Sequence, residues 1–118
     1  MSGNAAESLK NRLRTDLRAA MVGKRKAEIS LLRALLAAID NAEAPAQSAE
    51  QVKAGMRSFG EGTAEVGRLT LMPEQLAALL AREIASRELA AAEMASHGQT
   101  DRAQLLRDEA ALAKRYLR

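Results

Sequence analysis

Residues 24–43, KRKAEISLLRALLAAIDNAE, constrain this chain more than any other stretch. Ile29, Leu32, Leu35, Leu36 and Ile39 recur at spacings of three, four and seven. At about 100° per residue they gather into one stripe roughly 120° wide, while Lys26, Arg33 and Asp40 fall on the other side. The pattern predicts a helix with one buried face. No other segment puts so many large aliphatics on one side, so its neighbours are expected to pack against it.

What can pack there is limited. A chain of 118 residues makes one domain with a core of its own. It has one Phe, one Tyr and no Trp, and 26 alanines, so Leu, Ile, Met and Ala must fill the interior. Alanine has the highest helix propensity and lets helices approach closely, which points to an all-α fold. Small side chains bury little area each, so modest stability or an oligomer is expected.

In chain order, residues 1–6 are expected to fray and Ser8 to cap a first helix reaching about Val22. Leu9, Leu13, Leu17 and Met21 form its apolar row; Lys10, Arg14 and Arg18 form a second row beside it, with Arg12 further round. That second row is either a solvated flank whose stems cover the leucines or a ridge for phosphates. Gly23 is expected to end the helix in the left-handed conformation. Lys24, Arg25 and Lys26 follow at once and would form the cationic tip of an antiparallel helical hairpin. Pro45 should stop the second helix.

Residues 45–72, with four glycines among small polar residues, read as a long flexible connection. Within it, 51–59 suits a short helical turn and 68–71 an extended piece. The segment FGEG (59–62) lacks the lysine and spacing of a phosphate-binding loop. Pro73 suits the first turn of a third helix carrying Leu76, Leu79, Leu80, Ile84, Ala91 and Met94 and ending near His97–Gly98. Glu83 and Arg87 make an i, i+4 pair in the favourable order. Thr100 or Asp101 would cap a fourth helix reaching Leu117, with Leu105, Leu106, Leu112 and Tyr116 as its core candidates. The layout is a small all-α bundle of two helical hairpins joined by a long loop.

The net charge of +3 is unevenly placed: residues 1–33 hold eight Lys/Arg against three Asp/Glu, and the remainder is close to neutral. This is the electrostatic hint of a polyanionic partner. A DNA-reading helix-turn-helix would need polar base-reading residues on an exposed recognition helix, where the second helix offers mainly alanines. With no Cys and one His, a transition-metal site has no ligand set, and no serine has an evident activating base. His97 suits a helix C-cap. No cofactor, metal site or catalytic group is expected. The longest uncharged apolar runs are far short of the roughly 20 residues that span a bilayer, and a cytoplasmic protein is expected.

Four segments, SLKNRLRTDLRAAM (8–21), KAEISLLRALLAAIDNAE (26–43), AREIASR (81–87) and 98–117, resemble the YqeY family in order and spacing. The closest matches are Ser30-x-x-Arg33, Arg82-Glu83-Ile84 with Arg87, and Gly98 followed by Glu109 and Tyr116-Leu117. The family is similar to the tail region of the B subunit of tRNA-dependent amidotransferases. The resemblance covers most of the chain except 45–70 and implies an all-helical module that helps to hold tRNA while other subunits do the chemistry. By position, Lys26, Arg33, Arg82 and Arg87 match the family's basic positions. Arg25 and Ala113 stand where the pattern has an acidic and a large apolar residue. The pattern also runs past Tyr-Leu into a second small helical domain, which is expected to be absent here.

The expected function is therefore a non-catalytic accessory module that binds tRNA backbone. Lys10, Arg14, Arg18, Lys24, Arg25 and Lys26 would contact phosphates, with Arg33, Arg82 and Arg87 added from the resemblance. The near absence of aromatics disfavours base stacking. Two alternatives stand beside it: a protein–protein adaptor or homodimer using Ala/Leu-rich faces, and the amidotransferase activity of the family label.

Overall fold

The computed structural model of the chain describes residues 4–45 and 69–117. The expectations for 51–59, 59–62 and the rest of 46–68 lie outside the described residues. The fold is an all-α bundle of four helices: α1 (Ala5–Val22), α2 (Lys26–Glu43), α3 (Pro73–Ser96) and α4 (Thr100–Lys114). Helices α1 and α2 form one hairpin and α3 and α4 the other, and α2 packs against all three of its companions.

Helix α1 starts a turn earlier than its serine suggests. Asn4 is the cap, its Oδ1 accepting from the Glu7 N–H at 2.7 Å, and Ser8 lies within the helix. The extra turn is held because it seats Ala6, which is fully buried, so the expected fraying does not extend over residues 4–6, while residues 1–3 lie outside the described residues. Leu13 is buried, Leu9 and Leu17 pack at the edge of the core, and Met21 is half exposed.

The turn at the end of α1 is also built differently. Gly23 is right-handed (φ −81°), and the left-handed residue is Lys24 (φ +55°). The Lys24 N–H bonds to Met21 O at 3.2 Å and the Arg25 N–H to Ala20 O at 2.9 Å. These are the two bonds of a Schellman motif, which needs its left-handed residue one place after the cap. A Cβ at Gly23 would lie 2.3 Å from Arg25 Nη1, so glycine there leaves room for that side chain to fold back.

Helix α2 buries Leu32, Leu35 and Ile39 completely, with Ile29 and Leu36 at the core edge; Lys26, Arg33 and Asp40 are exposed, as the stripe predicts. Leu31, just beside the stripe, is also fully buried because α2 is covered on more than one side. Ala44 adopts an extended conformation (ψ 138°), as a residue preceding proline must, and Pro45 ends the helix. The chain returns with the Leu69 N–H on Glu43 O at 2.7 Å, buries Leu71, and enters α3 with Pro73 in its first turn.

The α3–α4 turn repeats the Schellman motif with Gly98 in the left-handed position (φ +78°) and His97 as the cap. His97 Nδ1 lies 2.8 Å from Glu93 O, so the ring serves the helix end. Gln99 is the cap of α4, and Thr100 and Asp101 are its first helical residues, because the Schellman turn delivers the chain directly into the helix. Helix α4 ends at Lys114, short of Leu117, where tighter bonds from Tyr116 to Ala113 and from Leu117 to Lys114 swing Tyr116 against α1. Its buried face is not the expected leucines. Ala103, Ala110, Ala113 and Tyr116 are buried, Leu106 and Leu112 are half-buried, and Leu105 is exposed. Alanine allows α3 and α4 to approach closely, which pushes the longer side chains to the rim.

Candidate nucleic-acid interface

Nine cations were singled out from the sequence, and the fold withdraws two of them from the surface. Lys10 is only 5 % exposed. Its Nζ is 2.7 Å from Glu43 Oε1, 3.4 Å from Glu7 Oε2 and 3.7 Å from Asp40 Oδ1. The hydrogen bond to Glu43 raises its pKa against the opposing cost of burial. Lys10 ties α1 to the end of α2 and is not a ridge residue. Arg87 is likewise engaged inside the second hairpin, with Nη1 2.8 Å from Glu83 Oε1 and Nε 2.9 Å from Glu109 Oε1. Burial lowers its pKa, but the bonds to Glu83 and Glu109 outweigh that and leave it raised. Glu109 is a buried carboxylate, so Arg87 is needed where it stands.

The other seven are exposed. Arg25 is the most restrained, its Nε 2.8 Å from Glu28 Oε1 across the first turn of α2. Arg14 donates to Asn11 Oδ1 at 3.1 Å, a neutral partner. Among the described residues Arg14, Arg18, Lys24, Lys26, Arg33 and Arg82 make no ion pair. Arg14 and Arg18 are one turn apart on α1. Lys26 and Arg33 are two turns apart on one side of α2, about 10 Å along its axis. Arg82 does not join them. It shares a groove with Ala42 near the far end of α2, about 24 Å along the helix from Lys26.

The hairpin's carboxylates are differently placed. Glu7, Asp40 and Glu43 surround Lys10, Glu28 holds Arg25, and Asp16 accepts the Tyr116 hydroxyl. All five acidic residues of α1 and α2 therefore have internal partners, whereas six cations of the hairpin, Arg12, Arg14, Arg18, Lys24, Lys26 and Arg33, have no carboxylate among the described residues. The net positive field at this end comes from that segregation.

Two further cations are placed by contacts between the hairpins, and one of them, Arg115, approaches the tip. The Arg12 guanidinium lies 4.6 Å above the Tyr116 ring centroid. Burial, and then the bond to Asp16, push the Tyr116 hydroxyl pKa well above its ordinary value. Arg115, at the end of α4, lines one cleft with Arg25 and Lys26 of the first hairpin. It was not singled out because it is some 90 residues away in the sequence; only the packing of the hairpins reveals it.

Among the described residues no group of His, Cys, Asp and Glu could hold a metal ion, and no helix is long and apolar enough to cross a membrane. No family model, curated protein or solved structure matches this chain.

Proposed function

We propose that this chain is a non-catalytic helical accessory module that binds tRNA through the phosphate backbone, using Arg14, Arg18, Lys24, Lys26 and Arg33. The observation that carries the reading is the segregation of charge on the first hairpin: every acid is engaged, six exposed cations are left without carboxylates, and of these only Arg12 is taken up by a ring, leaving five for phosphates. Such a surface neutralises phosphates without reading bases. A second support is Lys24 itself. It takes a left-handed backbone that glycine takes at the equivalent point of the other hairpin, so a strained position carries a cation. The resemblance to the amidotransferase tail adds tRNA as the specific polyanion, and gives the module the role of holding tRNA for another subunit's chemistry.

The test is a titration of fluorescent bulk tRNA with the parent protein and with an Arg14→Glu, Arg18→Glu, Arg33→Glu variant. Binding at low salt that is lost in the variant supports the reading. No binding by the parent at low salt overturns it, because a phosphate-directed surface is strongest there.

The adaptor reading has an observation of its own: Leu89 is 68 % exposed and Leu105 is 40 % exposed on the second hairpin. Large exposed aliphatics suit a protein contact. Light scattering decides whether that contact is a homodimer: a dimer mass that reverts to monomer in a Leu89→Lys, Leu105→Lys variant supports it, and a monomeric parent removes it.

A further inference from the structure

The cleft between the two hairpins has a composition that no single helix shows. Lys26 and Glu28 of α2 line it together with Asp108 of α4 and Arg115 at the end of α4, and its apolar lining is Ala27, Ala111 and Leu112. Both cations are exposed and neither makes an ion pair among the described residues. Arg25, beside Lys26, is already held by Glu28. The remaining acid, Asp108, accepts only from the neutral Gln104 amide at 2.9 Å. The opening is about 580 Å³, enough for a sugar–phosphate unit.

The position of Arg115 is fixed by its neighbours. Its own N–H bonds back to Leu112 O at 3.1 Å. The next residue, Tyr116, is buried against α1, with its hydroxyl on Asp16 and Arg12 over its ring. Arg115 is therefore held at a set distance from the cationic tip although it belongs to the other hairpin. Two cations from different hairpins lining one cleft with alanines and a leucine match a phosphodiester backbone lying along it, its charge near the cations and its sugar on the apolar lining.

We infer that this cleft takes a stretch of RNA backbone between Lys26 and Arg115, so that bound RNA bridges both hairpins. The inference rests on the tRNA reading above and extends it to the second hairpin. Arg115 becomes a binding residue, and Asp108 becomes a repulsive group that moderates affinity.

The test uses bulk tRNA at low salt against four proteins: the parent, Arg115→Gln, Asp108→Asn, and Arg14→Glu with Arg18→Glu. Arg115→Gln is expected to weaken binding roughly fivefold to tenfold and to lower the salt slope by about one. Asp108→Asn is expected to tighten binding severalfold, a change that no loss of fold could mimic. Far-UV circular dichroism confirms that each variant folds. If both cleft variants bind like the parent while the Arg14/Arg18 variant is weakened, the cleft assignment is wrong and the tRNA reading stands. If the parent binds no tRNA, both fall.

Discussion

Lys24 and Gly98 occupy the same left-handed place in two Schellman turns, one with a side chain and one without. The side chain at Lys24 is a local cost. Lys24→Gly should raise stability by about 0.5–1 kcal/mol in urea unfolding and should weaken tRNA binding, because it relieves the backbone and deletes a cation at the tip. Lys10 should behave in the opposite sense. Lys10→Met removes the buried ammonium that Glu7, Asp40 and Glu43 surround and should cost about 3 kcal/mol, while tRNA affinity measured below the melting transition stays at the parent value. The sequence assigns both residues to phosphate contact, Lys10 on the ridge of α1 and Lys24 at the hairpin tip. What separates them is whether a carboxylate from another helix stands opposite, and that is set by packing.

At the scale of elements, the first hairpin was legible because large aliphatics at helical spacing leave one solution. The stripe on α2 and the proline after it gave the helix and its end, and the buried Leu31 marks where a third neighbour added coverage. Helix α4 was not legible in the same way. Its interface is made of Ala103, Ala110 and Ala113, and alanine carries no signal that separates a buried face from an exposed one. Ala110→Leu should therefore overpack the α3–α4 contact and cost about 1–3 kcal/mol, read as a lower melting temperature. The same blindness hid the charges: Glu83 with Arg87 was readable at i, i+4, but Glu109 closing on Arg87 from α4 was not.

The whole molecule is tied together by Tyr116, which joins the end of the second hairpin to α1 and is the only tyrosine in the chain. Its folded pKa is raised above the unfolded value of about 10. The group therefore contributes stability that is whole below that pH and is lost as pH climbs toward the folded value. Lys10, also raised, acts in the same direction above its own ordinary value. Stability to urea should hold from neutral pH to about 9 and decline above about 10. Tyrosinate absorbance, a clean signal from one residue, should rise in the native protein only as the chain unfolds, whereas in strong denaturant it titrates near its ordinary value.

The central claim, that Arg14, Arg18, Lys24, Lys26 and Arg33, engaged by neither a carboxylate nor a ring, form a phosphate surface on α1, its turn and α2, is met most directly by the salt dependence of tRNA binding. Five contacts predict a log–log slope near −4 and a loss of affinity on the order of a few hundredfold between about 50 and 200 mM salt. The Arg14→Glu, Arg18→Glu, Arg33→Glu variant should lose most of that slope together with its affinity. Binding that ignores salt, or is absent at the lowest salt, would contradict the account.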